Sequence, residues 1–290
     1  MTAPAQPPPY VLQDAKMTEF KRIFRNLNIE PLIEQEVRSM LCGSKKVIVI
    51  DNSDSMNRAI TGETHLDPAQ YGGIIRRIDE LRDFLRTAVS ILAIDSPDGV
   101  DVYWLNDPFQ RASATGPYWR AGVHSYADIE HELAQPPHSG TPLNRVLGTV
   151  ITKYCANTET PMHCIVCLDG EPDAVNGNRK RAQHECQQTV IRRPNPHRNI
   201  INFKVCTDND AEVKWINKMD PTPGIDISDD YKTERREVLR AGKVSDFNYG
   251  DFIVKSCIGA ASRVIDELDE PTFKRRLFLA LSCTGHVPRD

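Results

Sequence analysis

Three short polar runs carry the side chains of this 290-residue chain best suited to chemistry. The first, Asp51-Asn52-Ser53-Asp54-Ser55, places a carboxylate two and four residues ahead of two hydroxyls, directly after the β-branched run Val47-Ile48-Val49-Ile50. The second, Ser139-Gly140-Thr141-Pro142, leads into a helical pattern, and the third, Asp169-Gly170-Glu171-Pro172, directly follows the apolar residues 162–168. Carboxylate and hydroxyl oxygens are hard ligands, and a set with few carboxylates suits Mg²⁺, Mn²⁺ or Ca²⁺ better than zinc. The plainer use of Asp51 and Ser53 is to cap the turn that follows them. A binding site demands more than a cap does, namely that all three runs converge.

Convergence requires the strands ahead of the runs to lie side by side. Residues 47–50 and 162–168 are apolar without alternation, as in parallel strands buried on both faces. Ile74, Ile78, Leu81, Leu85, Ala88, Val89 and Leu92 trace one face of an amphipathic helix between the first strand and a second at 100–105. Further along, the pattern predicts helices at 127–133 and 142–154, the latter opened by Pro142, then a charged helix at 178–192. A strand at 200–205, a helix at 211–219 stopped near Pro221 and a closing helix at 249–261 complete it, with 232–240 as a charged helix surface. Strands alternating with helices imply an α/β fold: a doubly wound, mostly parallel sheet with helices on both faces, Rossmann-like in layout. In such sheets ligands collect outside the carboxyl ends of the strands, which is where the three runs fall.

Around a domain expected at 43–268, the sequence predicts a Pro-rich disordered tail over 1–13 and an N-terminal helical extension over 14–42, broken near Pro31. A C-terminal extension over 269–290, with Phe278-Leu279-Ala280-Leu281, is expected to pack back on the domain.

A D-x-S-x-S run after a first buried strand, a threonine in a second loop and an aspartate after a later strand resemble the metal-ion-dependent adhesion site of von Willebrand factor A domains. The resemblance spans about 47–269. It implies that Ser53, Ser55 and Thr141 ligate a cation, Mg²⁺ or else Mn²⁺ or Ca²⁺, through their hydroxyls, while Asp51 and Asp169 hold it directly or through water. It further implies that an Asp or Glu of a partner protein fills the open coordination position, so that the chain acts as an adaptor and not as an enzyme. Residues 226–231 and Tyr249-Gly250-Asp251-Phe252 look like those of intracellular copine-like or fungal A-domain proteins. Copines carry membrane-binding domains ahead of the A domain, and the residues before Gly43 are too few for one, so calcium-driven membrane docking is not expected.

Other chemistries fit less well. A Mg²⁺-dependent phosphatase of the haloacid-dehalogenase type also has a carboxylate after a buried strand, but its acid–base step needs a second aspartate two residues on, where this chain has Ser53. Cys164-x-x-Cys167 could suggest redox or zinc chemistry, yet within a strand the two thiols point to opposite faces and read as core. The eight histidines are scattered, with no H-E-x-x-H arrangement. The runs Arg179-Lys180-Arg181 and Arg192-Arg193 could touch RNA, but a net charge of −4 offers nucleic acid and anionic membranes no bulk attraction, and a solvated helix face is the simpler reading. Phe109, Tyr118 and Trp119, in an irregular stretch over 106–124, either anchor an interface or pack over the sheet edge. No stretch approaches the roughly 18 apolar residues of a membrane span. Cysteines set in apolar runs, with neither an apolar nor a basic leader in the first ten residues, make the cytoplasm the expected location.

Overall fold

The computed structural model describes residues 14–40, 43–61, 64–94, 96–111, 116–156, 159–207 and 209–270. The expected tail over 1–13 and all but the first two residues of the 269–290 extension lie outside them. Strands β1 (Lys45–Ile50), β2 (Val100–Trp104), β3 (Trp119–Val123), β4 (Met162–Leu168), β5 (Ile200–Val205) and β6 (Ile225–Ser228) form one sheet in the order β3-β2-β1-β4-β5-β6. All neighbours are parallel except β3, which runs antiparallel to β2. This is a doubly wound α/β architecture, and β1 and β4 flank the point where the winding reverses.

Alternation along the central strands feeds two cores. Ile48, Ile50, Ile165 and Cys167 face one side, where α1 (Asp14–Leu27), α2 (Pro31–Met40), α3 (Arg77–Ala93) and α9 (Tyr249–Ile258) pack, with α8 (Tyr231–Ala241) and α10 (Arg263–Asp266) beside them. Val47, Val49, Cys164, Val166 and Leu168 face the other, covered by α5 (Leu143–Cys155), α6 (Arg179–Ile191) and the segment after the short helix α7 (Asp210–Val213). A further short helix, α4 (Glu130–Leu133), adds Leu133 to the first core. The two N-terminal helices join that core through Phe24, Ile33 and Val37, and the Glu30 amide donates to Asp251 Oδ1 at 2.7 Å. Cys164 and Cys167 are buried thiols on opposite faces, as the strand period requires.

Two strands fall where the sequence predicts none. In β3, inside the expected irregular stretch, four of five residues are exposed, and the short alternation of Trp119, Ala121 and Val123 is weakened by Gly122. β6 replaces an expected acidic segment: Ile225-Asp226-Ile227-Ser228 does alternate, but over only four residues that merge into the acidic run that follows, and its polar members Asp226 and Ser228 are buried. The helix expected at 211–219 divides into α7 and a 3₁₀ turn, Asn217–Met219, with Val213, Trp215, Ile216 and Met219 all buried. The charged surface expected at 232–240 is only partly one, since Glu234 is fully buried. Phe109, Tyr118 and Trp104 pack edge to face along the sheet edge, while Trp119 stacks on Tyr103 under the Lys153 ammonium. Among the described residues, no helix is long and apolar enough to cross a membrane.

Candidate functional site

β1 and β4 run in register, Ile50 opposite Cys167, so the residues that leave their carboxyl ends emerge together. The Asp51 amide donates to the Cys167 carbonyl at 2.9 Å, which sets the first and third polar runs edge to edge. Asp51, Ser53 and Asp169 are all buried. Ser53 Oγ lies 3.0 Å from Ser55 Oγ, and the Ser55 hydroxyl donates to Asp169 Oδ1 at 2.8 Å. The Ser53 amide donates to Asp51 Oδ1 at 2.9 Å, while Asp51 Oδ2 is buried with no donor among the described residues. Burial, reinforced by the neighbouring Asp169 charge, pushes the Asp51 pKa up to about 7 against the pull of the Ser53 donors.

The second run closes over this pair. The Asp54 amide donates to the Ser139 carbonyl at 2.9 Å, and Ser139 adopts a left-handed backbone, φ 64°, unusual for a residue with a β-carbon. Thr141 is buried beside it. Its amide donates to Asp173 Oδ1 at 2.8 Å and its carbonyl accepts from the Asp173 amide at 2.9 Å. Gly140 fits under that carboxylate because a β-carbon there would collide with it. No hydrogen bond among the described residues ties the Thr141 hydroxyl to the other four candidates. Ser53 does cap the 3₁₀ turn Asp54–Asn57 in sequence, but its side chain makes no capping hydrogen bond, so the hydroxyl is not used as a cap.

The rim is held by residues whose role is not evident from the sequence. Asn52 and Asn106 bond each other reciprocally, side-chain amide to carbonyl at 3.1 Å and amide to side-chain oxygen at 2.9 Å. Asn106 Nδ2 also donates to the carbonyls of His138 and Gly140, and the His138 amide donates to the Asn52 carbonyl.

Most consequential is Arg77, the first residue of α3. Its Nη1 donates to Asp169 Oδ2 at 2.9 Å and its Nη2 lies 2.9 Å from Glu212 Oε2, while Arg58 holds the other Glu212 oxygen at 2.9 Å. Burial works against the Arg77 charge, but the Asp169 and Glu212 carboxylates outweigh it and raise its pKa above the usual value. One signal could have found it. Arg76 and Arg77 stand at the start of a helix, where the macrodipole disfavours cations, so a local carboxylate partner is implied.

Hydroxyls, two buried carboxylates and an orphaned carboxylate oxygen are a donor set that fits a hard divalent cation. No group of three His, Cys, Asp or Glu among the described residues is arranged for a metal ion, so any such site here draws on hydroxyls. The basic run on α6 is spent locally: Arg179 pairs with Glu171 and Arg181 with Glu185, at the protein surface.

No protein-family model and no curated protein matches this chain. Among solved structures it is similar to the PilB minor pilin from Streptococcus sanguinis, at 10% identity and a TM-score of 0.47, over 78% of this chain and 63% of that one. It is similar also to a von Willebrand factor type A protein from Catenulispora acidiphila, at 15% identity and a TM-score of 0.40, over 74% of this chain and 43% of that one. The human COPII-coat protein Sec24c overlaps at 10% identity and a TM-score of 0.34, over 71% of this chain and 33% of that one. The chain thus spans less than two thirds of each of these proteins, and overlaps this loose add nothing on site or activity. The sheet order and its two covered faces are themselves the doubly wound architecture that the von Willebrand A resemblance implies.

Proposed function

We propose that this chain is a divalent-cation-dependent protein-interaction module of the von Willebrand A type. In this reading Asp51, Ser53, Ser55, Thr141 and Asp169 hold Mg²⁺, or Mn²⁺ or Ca²⁺, and an Asp or Glu side chain of a partner protein completes the coordination. The observation that carries it is the meeting of two buried carboxylates, Asp51 and Asp169, with the Ser53 and Ser55 hydroxyls, where Asp51 Oδ2 has no donor in hydrogen-bonding geometry among the described residues. Protein hydroxyls on both sides offer lone pairs to a cation and no charge of their own. A bound cation would supply the electrostatic anchor, and the chain's part is to fix the hydroxyls and exclude water around them.

The chain turns over no substrate of its own in this reading, because no second carboxylate stands at Ser53 to move a proton. A cytoplasmic location is supported by six described cysteines, all buried and all unpaired.

Affinity capture from cell extract, with and without a chelator, tests the proposal. Changing both Ser53→Ala and Ser55→Ala should abolish chelator-sensitive capture, with the circular dichroism spectrum unchanged. Capture that survives both the double change and chelation, or Mg²⁺-dependent phosphatase turnover that needs Asp51, would overturn it.

A further inference from the structure

Resting on that cation-site reading, we propose that Arg77 is a built-in rival for the cation: its guanidinium occupies Asp169 and keeps the site from loading strongly until an acidic group arrives with the metal. The argument begins with charge. With a cation bound, Asp51 and Asp169 are both carboxylates and bring two negative charges to the hydroxyl cluster, and Arg77, 2.9 Å from Asp169 Oδ2, returns one positive charge to the same carboxylate. A single net negative charge remains. A divalent ion overcompensates it by one, and that surplus is answered by a carboxylate from outside. Removing Arg77 would let the pair neutralise the ion unaided.

Geometry adds a second element. Both Asp169 oxygens are engaged, Oδ1 by the Ser55 hydroxyl and Oδ2 by Arg77, so Asp169 meets a cation only in competition with the guanidinium. Arg77 Nε has no acceptor among the described residues, so the group is held through its two terminal nitrogens, one on Asp169 and one on Glu212. Glu212 is therefore the alternative seat for Arg77. It lies on α7, outside all three polar runs, and its other oxygen is shared with the exposed Arg58 at the protein surface. A partner that touches Arg58 thereby acts on how Glu212 divides Arg77 from Asp169.

The two residues make predictions of opposite sign. Mn²⁺ alone is titrated into the full chain and its variants, with free Mn²⁺ read by electron paramagnetic resonance. Arg77→Gln should tighten binding by about tenfold, because a full charge leaves the immediate surroundings of Asp169. Glu212→Gln should weaken it by about threefold, because Arg77 then bonds Asp169 without a competitor. Arg86→Gln, the same charge change on the exposed side of α3, should leave binding within about twofold, since distant exposed charges are screened.

Should Arg77→Gln not fold, Glu212→Gln is judged against Glu171→Gln, which removes the same charge two residues from Asp169 but from an acid paired with Arg179, and only a larger loss from Glu212→Gln upholds the rivalry. Wild-type binding that Arg77→Gln fails to tighten, or that Glu212→Gln strengthens, overturns the rivalry and leaves the cation site standing. Equal tightening by Arg86→Gln also overturns it, by reducing the effect to net charge. If neither wild type nor Arg77→Gln binds Mn²⁺ above a Ser53→Ala/Ser55→Ala background, the cation reading falls and this inference with it.

Discussion

Two buried carboxylate clusters lie in this molecule, and the same problem of buried charge is met differently in each. At the switch point, Asp51 and Asp169 are bracketed by hydroxyls, backbone amides and the Arg77 guanidinium. Around Lys255, on α9, the groups that gather are almost all acids: Glu234 Oε1 at 2.8 Å, Asp269 Oδ2 at 3.6 Å and Asp226 Oδ1 at 3.8 Å. The Glu234 contact pairs charge but is off line for a hydrogen bond. Burial raises the pKa of Asp226, pushes Glu234 up to about 7, and with the Asp226 charge lifts Asp266 to about 8. Lys255 itself is disfavoured by burial, yet its acidic neighbours raise its pKa well above the ordinary value. The Lys255 cluster is closed by one ammonium set among acids whose burial disfavours their charged forms. Both clusters leave a buried carboxylate oxygen without a donor among the described residues, Asp51 Oδ2 in one and Asp226 Oδ2 in the other, so what separates them is the company: hydroxyls, amides and a guanidinium at the switch point, further acids and an ammonium around Lys255.

The largest effect should come from breaking the cluster around Lys255. Lys255→Met leaves Glu234 and Asp226 buried without their counter-charge and should cost about 3–5 kcal/mol in urea denaturation. A loss below about 1 kcal/mol would mean that the acids are neutral already and the ammonium matters little.

Next in size is a pH dependence. A carboxylate whose folded pKa lies above its unfolded value gives stability that is complete below the unfolded pKa and is lost as pH rises through the folded one. With Glu234 moved from 4.5 to about 7, the urea midpoint in metal-free buffer should fall between pH 5 and 8, by on the order of 2–3 kcal/mol in stability. Glu234→Gln should flatten that slope. An equally steep slope in the variant would assign the effect elsewhere.

The smallest effect sharpens the other side of the comparison. Arg58 is 61% exposed where it pairs with Glu212, so Arg58→Ala should change stability by less than about 1 kcal/mol. A larger loss would show that the switch-point network is as structural as the one around Lys255.

The parts of this arrangement that could be read from the sequence are those encoded locally. The apolar runs of β1 and β4 carry their own burial signal, and the polar residues that follow them lie where a parallel sheet presents its ligands. Ser53, Ser55 and Asp169 are accordingly joined as expected. Arg77 and Asp169 are 92 residues apart, and only the docking of α3 on the sheet brings them together. Glu234 belongs to a run that reads as a charged helix surface, and only the packing of α8 against α9 buries it beside Lys255. Asp226 likewise obscured β6, because a four-residue strand that carries an aspartate and opens an acidic run gives little strand signal.

The reciprocal Asn52–Asn106 pair has a consequence for how this surface can change over time. Together with the Asn106 bonds to the His138 and Gly140 carbonyls, it fixes the mouth of the site through atoms that belong to none of the five candidate ligands. Holder and contents are specified by different residues. Substitutions could therefore exchange one set of ligands for another, or erase the chemistry altogether, while the frame kept its shape, and descendants of such a chain could share an outline without sharing an occupation.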